Sequence, residues 1–208
     1  DQGSATFDAH VFWAGDSRAY LFDPSSGAQQ LTTDDIKSGG DAMRNLSDDS
    51  VMSNCISAST EFHISHRAVE LTAPFLVLCA TDGCFGYVRS PMHFEHLILS
   101  CLATAEGPEE WRAALIANIS AITGDDASLA LVGVGADLAH NRELFAARTE
   151  ELERRYVAPL NALHSKAREA EQALEDLRSQ QVTLENELWE DYRLPYERFL
   201  NRSDEGAA

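Results

Sequence analysis

At 208 residues, 44% of them hydrophobic, the chain is long enough for one or two domains with buried cores. A formal net charge of −18 argues against nucleic acid or an anionic membrane as the main partner, because both are bound through clustered Lys and Arg. The longest apolar run, Phe75–Ala80, falls far short of the roughly 20 residues that span a bilayer.

In chain order, apolar and β-branched runs predict strands over Ala9–Ala14, Arg18–Phe22, Glu61–Leu71, Phe75–Ala80 and Leu129–Val134. Asp23-Pro-Ser-Ser-Gly27 is turn chemistry that joins two strands into a hairpin. The polar stretch from Asp34 to Ser57, with Gly39-Gly40 in it, reads as a long surface loop. Helices are predicted over His93–Ala105 and Pro108–Thr123. In the second, Trp111, Leu115, Ile119 and Ile122 recur at helical spacing, and Pro108-Glu109-Glu110 is a favourable helix opening. The expected fold class is therefore α+β.

From about Leu138 the composition shifts to Glu, Arg, Leu and Ala, and the acidic residues divide 18 before Asp137 and 16 from it onward. We read residues 1–136 as one domain and 137–208 as a helical extension. Leu160, Leu163, Ala167, Ala170, Leu174, Leu177, Gln181, Leu184 and Leu188 alternate by three and four, a heptad stripe with Gln181 at an a position. Pro159 either kinks one long helix or opens a second. Two arrangements would bury the stripe: a hairpin of His140–Val157 on Leu160–Trp189, or a coiled coil of Leu160–Leu188 with a homodimer partner or another protein's helix.

Two carboxylates stand where apolar strands meet Gly-marked turns, Asp82 before Gly83 and Asp125 after Gly124. Such rigid positions suit hard oxygen ligands for Mg²⁺ or Mn²⁺. Taken singly, each also fits an ordinary turn. The histidines are less telling. His63 and His66 would face opposite sides of a strand, and His93 and His96 could share a helix face with no third ligand evident, so surface and capping roles are expected. Cys55, Cys79, Cys84 and Cys101 lack CxxC spacing and read as buried free thiols, which places the chain in the cytoplasm; Cys79 and Cys84 flank Asp82.

Four elements in order carry a resemblance: Gly15-Asp16-Ser17-Arg18, Leu31-Thr32-Thr33-Asp34, Thr81-Asp82-Gly83 and Asp125-Asp126-Ala127-Ser128, preceded by the small-residue run Gln2–Thr6. Together they resemble the second half of the metal-dependent Ser/Thr protein phosphatases of the 2C type. That resemblance implies an antiparallel β-sandwich flanked by helices (αββα) and hydrolysis of phosphoserine or phosphothreonine on a phosphoprotein, as in bacterial-type signalling. It also implies that Asp82 and Asp125 hold two catalytic Mg²⁺ or Mn²⁺ ions, that Asp16 holds a third, and that Arg18 has a structural role. The family's Glu-Asp pair, its Asp-Gly-x-Gly-Gly element and its basic phosphate-binding residue are absent from the sequence before Gln2, and Asp41 and Asp48-Asp49 are not placed to replace them. The expectation is a half-sandwich whose other half is supplied elsewhere. The alternative is a scaffold that has lost catalysis and recruits partners through its tail.

Overall fold

The computed structural model describes residues 5–37, 41–43, 51–58 and 61–200. Gln2–Ser4 of the small-residue run, Gly39-Gly40 and Asp48-Asp49 lie outside them. The elements run β1 (Thr6–Trp13), β2 (Arg18–Asp23), β3 (Gly27–Gln30), β4 (Ser65–Thr72), β5 (Phe75–Ala80), α1 (Asp82–Phe85), α2 (Pro91–Thr104), α3 (Pro108–Ser120), β6 (Leu129–Val134), α4 (Leu138–Leu152), a π-helical turn (Glu153–Val157) and α5 (Ala158–Tyr196). The chain divides into two compact units, Asp1–Ala158 and Pro159–Ala208. The fold is mixed α+β with antiparallel sheets and a long C-terminal helix, as expected.

In the first unit a four-stranded sheet has the order β3-β2-β5-β6, and β1 pairs with β4 in a separate antiparallel ribbon. The alternation of the strands sets the layers. Tyr20, Phe22, Leu76, Leu78 and Ala80 point to one side, into a core shared with Phe94, Ile98, Leu99 and Leu102 of α2, Trp111, Leu115 and Ile119 of α3, and Phe145 and Leu152 of α4. Phe22, Leu76, Leu78, Ile98 and Leu99 are fully buried, and each contributes about 1.5–3 kcal/mol. The opposite face, Ala19, Leu21 and Phe75, packs on Leu71 of the ribbon. Among the described residues that second face is covered on the β2 side and open toward β6. Cys79 of β5 and Val132 of β6, on that same face, are exposed.

Several boundaries differ from the sequence reading for local reasons. β1 begins at Thr6, not Ala9, because its register with β4 continues to the pair Thr6 and Thr72. It stops at Trp13, before Gly15, whose φ of 98° only glycine adopts readily. β4 starts at Ser65 instead of Glu61, since the His63 backbone is held by the Asn54 side chain: its N–H donates to Oδ1 at 3.1 Å and its carbonyl accepts from Nδ2 at 2.9 Å. The stretch from Asp34 to Ser57 is not simply a surface loop. Its neck is closed by Ser53 N–H donating to Asp35 O at 2.7 Å and by a bridge between Ile36 and Met52, and Asn54 is buried.

Pro159 lies inside one unbroken helical run of α4, the π-helical turn and α5, just after that turn, where its ring removes one backbone donor. A π turn widens the backbone ahead of a proline ring that would otherwise meet the carbonyl four residues back. The buried residues of α4, Asn141, Phe145 and Leu152, serve the first unit, whereas α5 has no buried residue.

The cysteines also depart from expectation. Cys84 and Cys101 are buried, but Cys55 and Cys79 are exposed, and all four are free thiols. Cys79 alternates out of phase with Leu78 and Ala80 and so points to the uncovered face.

Candidate metal centre

The sheet register brings the three predicted carboxylates to one end of adjacent strands. Arg18 of β2 pairs with Ala80 of β5, so Asp16 and Asp82 fall opposite each other just past the strand ends. Ala80 also pairs with Leu129 of β6, and the pairing runs on past the strands as Thr81 N–H donates to Ser128 O at 3.0 Å. The Thr81 hydroxyl accepts from Ser128 N–H at 2.9 Å, and the Cys84 thiol donates to Ser128 O at 3.3 Å. These bonds pin the loop carrying Asp125 over α1.

Asp82-Gly83, expected as a turn, opens α1, with Thr81 as the N-terminal flanking residue. A side chain at Gly83 would run into the Asp126 carbonyl, so glycine is what lets the two acidic segments close on each other. Asp82 Oδ1 accepts from Gly83 N–H at 2.9 Å, and Asp125 Oδ1 accepts from Asp126 N–H at 2.7 Å. Both aspartates are exposed, and Asp16 is half-buried.

Burial first, and the negative charge of Asp82 second, push the Asp16 carboxyl above the usual carboxylate range. A cation between them would relieve both effects. The oxygen donors are of the type that Mg²⁺ or Mn²⁺ takes, and in this respect the site fits such an ion. Among the described residues, however, no group of three or more His, Cys, Asp or Glu side chains is arranged to hold a metal.

Arg18 supports the site from within. Its Nε donates to Asp34 Oδ1 at 2.9 Å and its Nη2 to Oδ2 at 2.6 Å, and the guanidinium lies 4.3 Å from the Phe85 ring centroid. This buried fork joins the start of β2, the Leu-Thr-x-Asp segment and α1. Sequence reasoning missed Asp35 and Asn54. Asp35 Oδ2 accepts from Gly15 N–H at 3.0 Å and from Asn54 Nδ2 at 2.6 Å, which ties the Asp16 turn to the neck of the polar stretch. Beside the acidic end lies a groove of about 550 Å³, lined by Trp13, Ser17, Arg18, Cys79, Thr81 and Ser128 among others.

The histidines do not join this site. His66 stacks on His10 at 5.2 Å between centroids, with His10 Nδ1 and His66 Nε2 at 2.9 Å, a pairing set by the β1–β4 register. The His63 ring lies 3.8 Å from Asp35. His93 Nδ1 meets the Ser90 hydroxyl at 2.8 Å at the start of α2, the capping role expected of it.

No protein-family description and no curated protein sequence matches the chain. Solved structures similar to it include PppA, a key regulatory component of T6SS in Pseudomonas aeruginosa, at 16% identity and TM-score 0.46 over 61% of this chain and 53% of that one. The PPM Ser-Thr phosphatase MsPP from Mycobacterium smegmatis, in complex with cacodylate, is 18% identical with TM-score 0.46 over 60% and 54%. The Ser/Thr phosphatase PstP of Mycobacterium tuberculosis is 21% identical with TM-score 0.42 over 60% and 54%. The chain spans about half the length of these structures.

Proposed function

We propose that this chain carries one wall of a binuclear centre that hydrolyses phosphoserine or phosphothreonine on proteins. The observation that supports the reading is the convergence of Asp16, Asp82 and the Asp125 loop at one end of β2, β5 and β6. Asp82 and Asp125 would hold two divalent cations, Mg²⁺ or Mn²⁺, and Asp16 a third, with the remaining donors supplied outside the described residues. Such ions lower the pKa of a bound water and screen the charge of the transferring phosphoryl group.

The chain's own residues hold the wall in place. The Arg18–Asp34 fork fixes the strand end that precedes Asp16, the Thr81–Ser128 bonds fix the spacing of the other two aspartates, and Gly83 permits their approach. Only six of the 16 Lys and Arg residues precede Asp137, so phosphate recognition would depend largely on the cations. Four free thiols accord with a cytoplasmic signalling role.

Two measurements on the same protein test this reading. Mn²⁺ is expected to raise the melting temperature and to support phosphate release from a phosphopeptide, and Asp82→Ala is expected to lose both, with turnover falling at least about 100-fold. Absence of both effects in the wild type would sink the reading. A second reading is a phosphatase-like scaffold without catalysis. It is identified by a Mn²⁺-induced thermal shift without turnover.

A further inference from the structure

The second unit presents an unburied apolar stripe along α5. Leu163, Leu174, Leu177, Leu184 and Leu188 are between 49% and 65% exposed. A stripe of this length on a helix with no buried residue is a surface built to be covered.

We propose that α5 pairs with α5 of a second copy of this chain, antiparallel, with Leu174 facing Leu177 of the partner at the centre. This proposal is independent of the phosphatase reading. Volume permits that register and charge selects it. It sets Leu163 against the partner's Leu188, Ala167 against the partner's Leu184 and Ala170 against the partner's Gln181, so each small residue meets a large one. Gln181 sits well there. Its amide donates to Glu185 Oε1 at 2.7 Å on its own helix, which turns the polar head to the rim and leaves the aliphatic stem to cross Ala170.

The flanking charges agree. Lys166 comes beside the partner's Glu187, Glu171 beside the partner's Arg178 and His164 beside the partner's Glu185, with no like-charged pair. Sliding one heptad in one direction places Glu171 against its own copy. Sliding in the other places Glu171 by Glu185 and Arg178 by Arg178. A parallel pair stacks Ala167 on Ala167 and Ala170 on Ala170, two thin layers in succession, and buries Gln181 against Gln181. Its flanks keep only the Lys166–Glu171 attraction. Antiparallel pairing in the first register sets both alanines against large residues and keeps every flanking pair free of like charges, with Leu160 opposite the partner's Asp191 at each end.

Light scattering of the full chain at about 10–50 µM should report a dimer; a monomer throughout that range overturns the proposal. Lys166→Glu should weaken dimerisation about tenfold, and adding Glu187→Lys should restore it. Failure of the second change to rescue the first overturns the register. In a Cys55→Ser, Cys79→Ser background, Ala170→Cys with Gln181→Cys should give disulfide-linked dimers on mild oxidation, whereas Ala170→Cys alone should not. Crosslinking by Ala170→Cys alone would establish the parallel pair instead. Circular dichroism of each variant confirms that helix content is kept, since every substitution but the two serines lies on the exposed helix.

Discussion

Single residues carry specific loads in this fold, and Asp23 is the clearest case. Its Oδ1 accepts from the amides of Ser25 and Ser26, both at 2.9 Å, and closes the β2–β3 turn. Partial burial works against its charge, but the hydrogen bonds from Ser25 and Ser26 outweigh it and hold the carboxyl below the usual range. The unfolded chain therefore binds this proton more readily than the folded one. The resulting stability is present above the unfolded value of about 3.8 and is lost as pH falls through the lower folded value. Asp23→Ala should cost about 1–2 kcal/mol in urea unfolding near pH 7, and the difference from wild type should shrink below pH 4. Gly83→Ala should cost about 1–3 kcal/mol, because the methyl group must displace the Asp126 carbonyl. It should also abolish any Mn²⁺-dependent thermal shift. The aspartates themselves were legible in the sequence, since acids beside a glycine next to an apolar run stand out in one dimension. Asp35 and Asn54 were not, because their partners Gly15 and His63 meet them only through the folded neck.

Among elements, helices with Pro at their start were the most readable. α3 begins at Pro108 as expected, with Glu109 and Glu110 in its first turn. α2 begins at Pro91, two residues before the expected His93, because Ser90 supplies a cap: its hydroxyl accepts from His93 N–H at 3.3 Å. Ser90→Ala should destabilise the protein by about 1 kcal/mol in thermal or urea unfolding, with helix content reduced near that end. α1 escaped notice since four residues hold too little periodicity to register. The strands were legible in existence and less so at their ends, where pairing with a distant partner decides the last residues.

For the molecule as a whole, sequence patterns gave the α+β class but not the strand order β3-β2-β5-β6, which alone brings the three acidic segments together. α4 shows the same limit. Its residues Leu138, Asn141, Phe145, Arg148 and Leu152 recur by three and four, much like the stripe that follows, yet they serve the first unit's core. Arg148 makes the difference through a fork to Glu95 of α2, with Nε to Oε1 at 2.8 Å and Nη2 to Oε2 at 2.9 Å. Glu95 is buried, so Arg148→Ala would strand its charge and should cost about 3–5 kcal/mol in chemical denaturation. The double change Glu95→Leu, Arg148→Met should cost less than the single one, because no unpaired charge remains.

The four thiols described above amount to a clock built into the first unit. Two stand outside and two inside: Cys55 and Cys79 face solvent, while burial shields Cys84 and Cys101 and pushes both thiols up from their ordinary value. An alkylating reagent at neutral pH should consume the outer pair promptly. The inner pair should follow only as fast as the helix layer lifts from the sheet. Mass spectrometry would then read the opening of one layer of the fold in minutes and hours from the mass added at each cysteine, with no substitution in the protein.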